Sequence, residues 1–472
     1  MVPAPSPSGA AAAGRPPDGH GDGPMGRLKT MTTTARVPGP AGLPLLGSMF
    51  DLQRDSLGTY LRGRAEHGDV VRFTAGPPGL RAEFYGIFSA KGAQQVLAGD
   101  SAVFRKDNQF YQEIRESFGN GLLTSQDEDY LRQRRLVQPL FTRRRVDGYA
   151  DALYTEAAAV AEEWRAAPCS TVDMVEEMTR FTLRAVSRIL FGTDIDAAVD
   201  VVRRSFPVIG EYALQRGLAP FRLPRTWPTP SNRAAEVAQA ELYAVCDRVI
   251  SERLASGTED RDDLLSLLSR ARSEEDGSLD ADEIRDQVLI FLLAGHETTA
   301  TSLTFALHLL GHHPQEQRRA HEEVDRVLGG RPPAASDVES LPYLTMVLKE
   351  AMRLYPPAPV IGRRPVRDVE VCGHLVPAGA NVFVAPWVTH RHPAYWEEPE
   401  RFDPERFTPE RESARPRYAW FPFGGGPRAC IGQHFSMLES VLALATFLRE
   451  YELESLDTDV PLKRSSHLAS LR

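Results

Sequence analysis

Hydrophobic and polar positions follow a helical period over residues 56–67, which predicts a helix there. Two short apolar runs come next, Asp69–Thr74 and Ala82–Tyr85, on either side of Gly76-Pro77-Pro78-Gly79; they predict two strands and a turn. Residues 105–125 mix aromatic and polar side chains around Gly119-Asn120-Gly121, so a long surface loop is expected. Helical periodicity then governs the chain from about residue 128 to 352, with breaks expected at Pro168, Pro220–Pro230, Ser256–Asp260 and Pro314. In the last third, short strands are expected at Val369–Val371 and Asn381–Val384. A proline- and aromatic-rich meander follows over His392–Arg428, then a final helix from about Ile431. The first 36 residues, crowded with Pro, Gly and Ala, are expected to be a disordered tail. Residues 37–472 are expected to form a single, mainly α domain with small β-sheets.

Composition narrows the functional classes. The 472 residues are 42% hydrophobic and 25% charged, enough apolar surface to offset the entropy of folding. A net charge of -9 argues against a general nucleic-acid binder. Cys169, Cys246, Cys372 and Cys430 lie far apart and form no CxxC, which supports neither a disulfide framework nor a zinc finger. A reduced, cytoplasmic location is the default expectation. No signal-peptide pattern and no run of about 18 apolar residues is seen, so no membrane anchor is expected.

The segment Phe421-Pro422-Phe423-Gly424-Gly425-Gly426-Pro427-Arg428-Ala429-Cys430-Ile431-Gly432 carries the most chemistry. Three glycines let backbone approach a large flat partner. Cys430 stands where a helix is expected to begin, and the helix dipole there favours a thiolate. Phe423 can shield the sulfur, Gly432 leaves room beside the first turn, and Arg428 offers a cation to a carboxylate. Such a thiolate suits either a nucleophile or an axial ligand to haem iron. A nucleophile needs a base, and helical spacing projects the nearby His434 away from the sulfur.

The pattern Phe423-x-x-Gly426-x-Arg428-x-Cys430-x-Gly432 resembles the haem-binding loop of the cytochromes P450. Three further stretches resemble that family in the right order. Residues 284–311 run without proline, roughly 40 Å of helix, and carry Ala294-Gly295-His296-Glu297-Thr298-Thr299 in their middle. Gly295 beside Thr298 is expected to open the backbone ladder into a groove. The resemblance implies that Ala294 or Gly295 lines the haem face, that Thr298 hydrogen-bonds dioxygen, and that Glu297 helps deliver protons. Glu350 and Arg353, three residues apart on one helix face, with Arg406 in Pro404-Glu405-Arg406-Phe407, match the family's structural ion-pair network behind the cysteine loop. Tyr130, Arg134, Arg363 and Arg428 match the partners of the haem propionates, with Tyr130 standing where the family usually has His or Trp.

The resemblance thus implies a P450 fold holding haem b between the long helix and the Cys430 loop. It implies a monooxygenase that uses O2 to hydroxylate, or otherwise oxidise, a hydrophobic small molecule. Oxidative coupling or isomerisation without oxygen insertion is the alternative. The substrate pocket is expected from Phe110, Tyr111, Phe118 and Leu123, from Phe291, Ala294 and Thr298, and from Val360 and Ile361. Leu264–Leu268 and Phe291–Leu310 look most like actinobacterial natural-product oxygenases, including those acting on terpenes; polyketides and fatty acids remain open. Electrons are expected from a ferredoxin and ferredoxin reductase, with Arg143-Arg144-Arg145 steering an acidic donor. The protein is expected to be a monomer. The chain stops at Arg472, so either the family's last strand pair is expected to be incomplete or the chain to be truncated.

Overall fold

The computed structural model describes residues 37–456, apart from 78, 80, 100–101, 168–170, 192–195, 220–221, 256–262 and 274–276. The expectations for the tail, for breaks at Pro168 and Ser256–Asp260, for Cys169 and for the last strand pair lie outside the described residues.

The principal helices in chain order are α1 (Ser56–His67), α2 (Gln109–Phe118), α3 (Asp127–Val137), α4 (Ala150–Ala166), α5 (Met174–Phe191) and α6 (Asp196–Leu218). They continue with α7 (Pro230–Ala255), α8 (Leu264–Arg270), α9 (Ala281–His312), α10 (Pro314–Leu328), α11 (Pro342–Leu354) and α12 (Gln433–Glu450). The strands are β1 (Val70–Ala75), β2 (Ala82–Ile87), β3 (Phe104–Arg105), β4 (Arg272–Ser273), β5 (Gly277–Ser278), β6 (Ile361–Pro365), β7 (Val369–Val371), β8 (His374–Val376) and β9 (Asn381–Val384). The main sheet has the order β1-β2-β9-β6-β3, with β2 and β9 parallel and the other pairs antiparallel.

Helix α9 is the axis of the core. It starts three residues before the expected Ile284 because Asp280 and Glu283 close a capping box ahead of it. Most of its circumference is buried: Leu303, Ala306, Leu307 and Leu310 pack with α5, α11 and α12 around one cluster, and Val288, Leu289 and Leu292 belong to a second cluster nearer α2 and α6. By length and apolarity alone α9 could cross a membrane, but 78% of its most apolar window is buried inside the protein.

Two local expectations are corrected. Within 105–125, residues 109–118 are a helix, not a loop: Asn108 Oδ1 caps it by accepting from the Tyr111 amide (3.1 Å), and Tyr111, Ile114 and Phe118 fall at a helical spacing that buries one face. The last helix begins at Gln433 with Gly432 as its cap, so Cys430 precedes it rather than opening it.

Candidate active site

The cysteine loop is held from behind by a buried ion pair. Arg353 donates from Nε and Nη2 to the two oxygens of Glu350 (2.7 and 2.8 Å), and both side chains are fully buried. Arg353 further donates to the carbonyls of His390 (3.0 Å), Pro399 (2.6 Å) and Arg401 (3.1 Å). Glu350 Oε1 also accepts from the Asp403 amide (3.0 Å) and lies 3.4 Å from Arg406 Nε, while Arg406 Nη2 donates to the Glu398 carbonyl (2.9 Å). Burial pushes the Glu350 carboxyl above its ordinary range, against Arg353 and the Asp403 amide.

From this network one residue reaches the loop. Buried His390 accepts the Phe421 amide at Nε2 (2.9 Å). Burial, with Arg353 and Arg391 nearby, holds its pKa well below the usual histidine value, so the ring stays a neutral acceptor. Sequence reasoning missed His390; its signal was a His-Arg-His run directly after a strand and short helix.

In the loop the Cys430 amide donates to the Phe423 carbonyl (2.9 Å). The sulfur opens onto a cavity of about 370 Å³, also lined by Phe423, Gly424 and Gly432. The three glycines divide their work. Gly424, at φ +71°, lines the cavity. A Cβ on Gly425 would come within 2.4 Å of the Tyr418 ring, and one on Gly426 within 1.9 Å of the Leu97 carbonyl oxygen. Those two glycines are therefore required by packing behind the loop, not by a partner in front of it. Burial pushes the Cys430 thiol above its ordinary pKa, while a Gly432 backbone hydrogen bond, Arg134 and Lys106 pull it down. The local bias toward thiolate expected from a helix start is thus outweighed by desolvation. His434 hydrogen-bonds Asp147 (2.8 Å) and is turned to that neighbour, as its spacing indicated.

Lys106, Arg134, Arg363 and Arg428 line the same cavity, and none has a carboxylate partner among the described residues. β-pleating buries Arg363 while exposing Arg364. Arg134 Nη1 donates to the Ala429 carbonyl (3.1 Å), and Arg428 Nη2 to that of Ser125 (2.7 Å). Arg428 Nη1 is buried without a partner in the protein, and burial lowers this guanidinium's pKa to about 10. Three guanidiniums, one with an orphaned buried donor, and the Lys106 amine, whose pKa burial and the adjacent Arg363 and Arg428 hold well below the usual lysine value, face an apolar slot that ends in a thiol; a flat dianionic group such as haem fits them. Tyr130 contributes differently from expectation: its hydroxyl donates to the Pro427 carbonyl (2.6 Å), and its ring lies 3.4 Å under the Arg428 guanidinium. Lys106 was not singled out from sequence; a lone lysine beside Arg105 reads as a surface charge, but here it lies over the Tyr111 ring (4.6 Å).

On α9, Ala294, Gly295, Glu297, Thr298 and Thr299 line the cavity. His296 faces elsewhere, its ring against Phe206 and Nδ1 at the Leu292 carbonyl. No break occurs at Gly295: the helix is continuous, and a Cβ there would stand 3.1 Å from Val186 Cγ2, so the glycine serves close packing of α5. Thr298 donates its hydroxyl proton to the Ala294 carbonyl (2.6 Å), which leaves its oxygen free to accept from a group in the cavity. Glu297 is buried between this cavity and a smaller gap lined by Val175, Thr179, Thr301 and Thr304.

Of the expected pocket residues, Phe110, Tyr111, Leu123, Phe291, Val360 and Ile361 line the cavity. Phe118 does not: it is fully buried in the core and stacks on Phe206 (5.3 Å between centroids), because its position on α2 faces α6.

Sequence reasoning also passed over Glu439, buried on α12 beside Thr299. Desolvation pushes its carboxyl well above the ordinary glutamate value, so folding favours the protonated form more than the unfolded chain does. Its contribution is most favourable below pH 4.5 and is lost as pH rises toward the folded pKa. Glu439→Gln is accordingly expected to raise the thermal midpoint at pH 7 and to flatten the stability–pH slope above pH 4.5. Thermal scans across pH check this, and a lowered midpoint at pH 7 would count against it.

Comparison with known proteins agrees with this geometry. The family model described as Cytochrome P450 matches residues 37–471. The chain is 38% identical over 416 residues to cyclooctatin synthase of Streptomyces melanosporofaciens, covering 88% of this chain and 89% of that one. It is 35% identical over 415 residues to pentalenene oxygenase of Streptomyces avermitilis, covering 88% and 90%. The crystal structure of the cytochrome P450DA heme domain superposes with a TM-score of 0.80 at 26% identity, over 93% of this chain and 94% of that one. With a cysteine loop opening onto a cation-edged apolar slot under a long central helix, the chain belongs to the cytochrome P450 family and is a haem-thiolate monooxygenase.

Proposed function

We propose that this monooxygenase oxidises a nonpolar cyclic substrate of the terpenoid class, in secondary metabolism, with electrons from an acidic ferredoxin. The lining of the cavity carries the reading. Away from its basic residues, the Glu297–Thr299 stretch, Ser302 and Ser436 it is mainly aliphatic and aromatic: Phe110, Ile114, Leu123, Phe291, Val360 and Ile361 among others. Such a wall selects by shape and by exclusion of water rather than by hydrogen bonds. The Streptomyces relatives named cyclooctatin synthase and pentalenene oxygenase support the same class.

Haem bound at Cys430 supplies the activation of dioxygen and the oxidation of an unactivated C–H bond. The chain's own residues do the remainder. Lys106, Arg134, Arg363 and Arg428 would hold the propionates, with Tyr130 bracing Arg428. Thr298 is placed to accept a hydrogen bond from a group in the cavity, and Glu297 stands between the cavity and the threonine-lined gap, where its carboxyl can relay a proton. The apolar wall keeps water from the reacting carbon.

The donor reading rests on charge. Arg143 is paired with Glu339, and Arg132 with Glu283, which leaves Arg144 and Arg145 exposed on the short helix Arg143–Asp147. Asp147 ties that helix to His434, at the start of α12 just beyond the cysteine loop. Reconstitution with a ferredoxin, its reductase and NADPH, offered cyclic sesquiterpenes and diterpenes, is expected to yield products heavier by one oxygen atom. Failure of every such hydrocarbon to perturb the haem spectrum would reject the substrate class. Arg144→Glu/Arg145→Glu is expected to slow haem reduction at low salt, with the difference fading as salt rises; an unchanged rate would reject the docking side.

A further inference from the structure

Helix α2 carries two faces with different partners. Phe110, Tyr111 and Ile114 line the cavity. Glu113, only 1% exposed, instead meets α6 and the connector between α6 and α7. Its carboxylate accepts from Arg216 Nε (2.9 Å), Arg222 Nη1 (2.7 Å) and Arg225 Nη2 (2.6 Å). Arg225 also reaches Ser117 Oγ (3.2 Å) and pairs with Glu116 (2.7 Å). The Tyr212 ring lies near Arg216 and Arg225 (5.4 and 5.1 Å), and its hydroxyl donates to Asn232 Oδ1 (2.9 Å). Asn232 Nδ2 in turn donates to the connector carbonyls of Pro224 (3.0 Å) and Trp227 (2.8 Å). One carboxylate therefore joins a wall of the cavity to α6 and, through the arginines, to the connector and α7.

The seam is close as well as polar. A Cβ on Gly217 of α6 would stand 2.9 Å from Phe110 Cα, and Gln109 Nε2 donates to the carbonyls of Arg216 and Ala219 (2.9 Å each). Pro207 removes a ladder hydrogen bond within α6, about two and a half turns before Arg216.

We propose that Glu113 is a positioning residue whose carboxylate clasps α2 to α6 and the connector, and so sets the rate at which hydrophobic ligands enter and leave the cavity. The other long walls, α5 and α9, are core helices, whereas α2 is a ten-residue helix whose outer side rests on this polar seam. Moving α2 outward separates a buried carboxylate from its guanidiniums, which resists opening. The arrangement is asymmetric. Losing one arginine leaves the carboxylate with two, whereas neutralising Glu113 leaves three cations facing one another. The inference does not depend on the terpenoid reading, since the clasp would act alike on any apolar ligand entering beside α2.

The test uses the haem-loaded full chain and 4-phenylimidazole, an azole that ligates haem iron, followed by stopped-flow absorbance. In Glu113→Gln, association and dissociation rates are both expected to rise about tenfold, the equivalent of weakening one charge-assisted hydrogen bond, with Kd changed by less than about threefold. Hydrogen exchange at the amides of residues 109–118 should quicken in parallel. Arg222→Gln, at a half-exposed partner and safer for folding, should show a smaller acceleration of both rates, and Glu113→Asp should restore part of the parent behaviour. Rates within about twofold of the parent in both Glu113→Gln and Arg222→Gln would overturn the proposal. So would a changed Kd with unaccelerated exchange in α2, which would mark a merely local structural role.

Discussion

Cys430→Ser is expected to lose the red-shifted Soret band of the reduced, carbon monoxide-bound protein and to lose turnover by at least about 10³-fold. Desolvation raises the pKa of the Cys430 thiol, so the site does not hold a free thiolate by default. Coordination to a metal removes the proton, and Arg134 and Lys106 then favour the negative sulfur. A serine hydroxyl starts with a far higher pKa in the same dry position, so the same electrostatics cannot supply a charged ligand. The loop itself should survive, because its hydrogen bonds run through backbone: the Cys430 amide to the Phe423 carbonyl, and the Phe421 amide to His390. Near-parent circular dichroism with a lost Soret shift is the expected combination. An unchanged Soret band and undiminished turnover would remove Cys430 as the ligand.

Arg353→Leu is expected to cost about 3–5 kcal/mol, the penalty for stranding a buried partner charge. The side chain satisfies both Glu350 oxygens and three carbonyls along 390–401, and leucine satisfies none of them. Glu350 then retains the Asp403 amide and a long contact to Arg406. Its carboxyl already lies above the ordinary glutamate value through burial, and losing Arg353 removes the main opposing pull. A raised folded pKa favours folding below the unfolded value and penalises it as pH rises. The deficit of Arg353→Leu should therefore shrink as pH falls toward 4.5. Urea midpoints of the two proteins between pH 5 and 8 measure this; a deficit below about 1 kcal/mol at neutral pH would contradict a buried network. Arg406→Leu should cost less, since its Nε lies 3.4 Å from Glu350 and its other contact is one carbonyl.

Legibility varied along the chain for physical reasons. Helix Ser56–His67 and strands Val369–Val371 and Asn381–Val384 agree with their sequence patterns, because each shows its own period or apolar run between turn residues. Helix α2 was hidden because its apolar face is short and its outer face carries Glu113, which reads as polar until three arginines are brought to it. Gly425 and Gly426 looked like room for a ligand, yet their reasons are Tyr418 and the Leu97 carbonyl. Tyr130 was expected to face a propionate, and its hydroxyl instead bonds Pro427, 297 residues away.

By itself the sequence determined the chemistry on offer and the class of fold. A cysteine among glycines and an arginine, an acid-hydroxyl pair inside an apolar helix, and a Glu-x-x-Arg spacing are local patterns, and local patterns survive in one dimension. Tertiary structure alone decided which groups are desolvated and which partners they meet. It made His390 a neutral acceptor, kept Glu439 protonated, turned Phe118 into core and set Lys106 beside the arginines. Burial and electrostatic coupling depend on neighbours that lie hundreds of residues apart along the chain, so no window of sequence contains them.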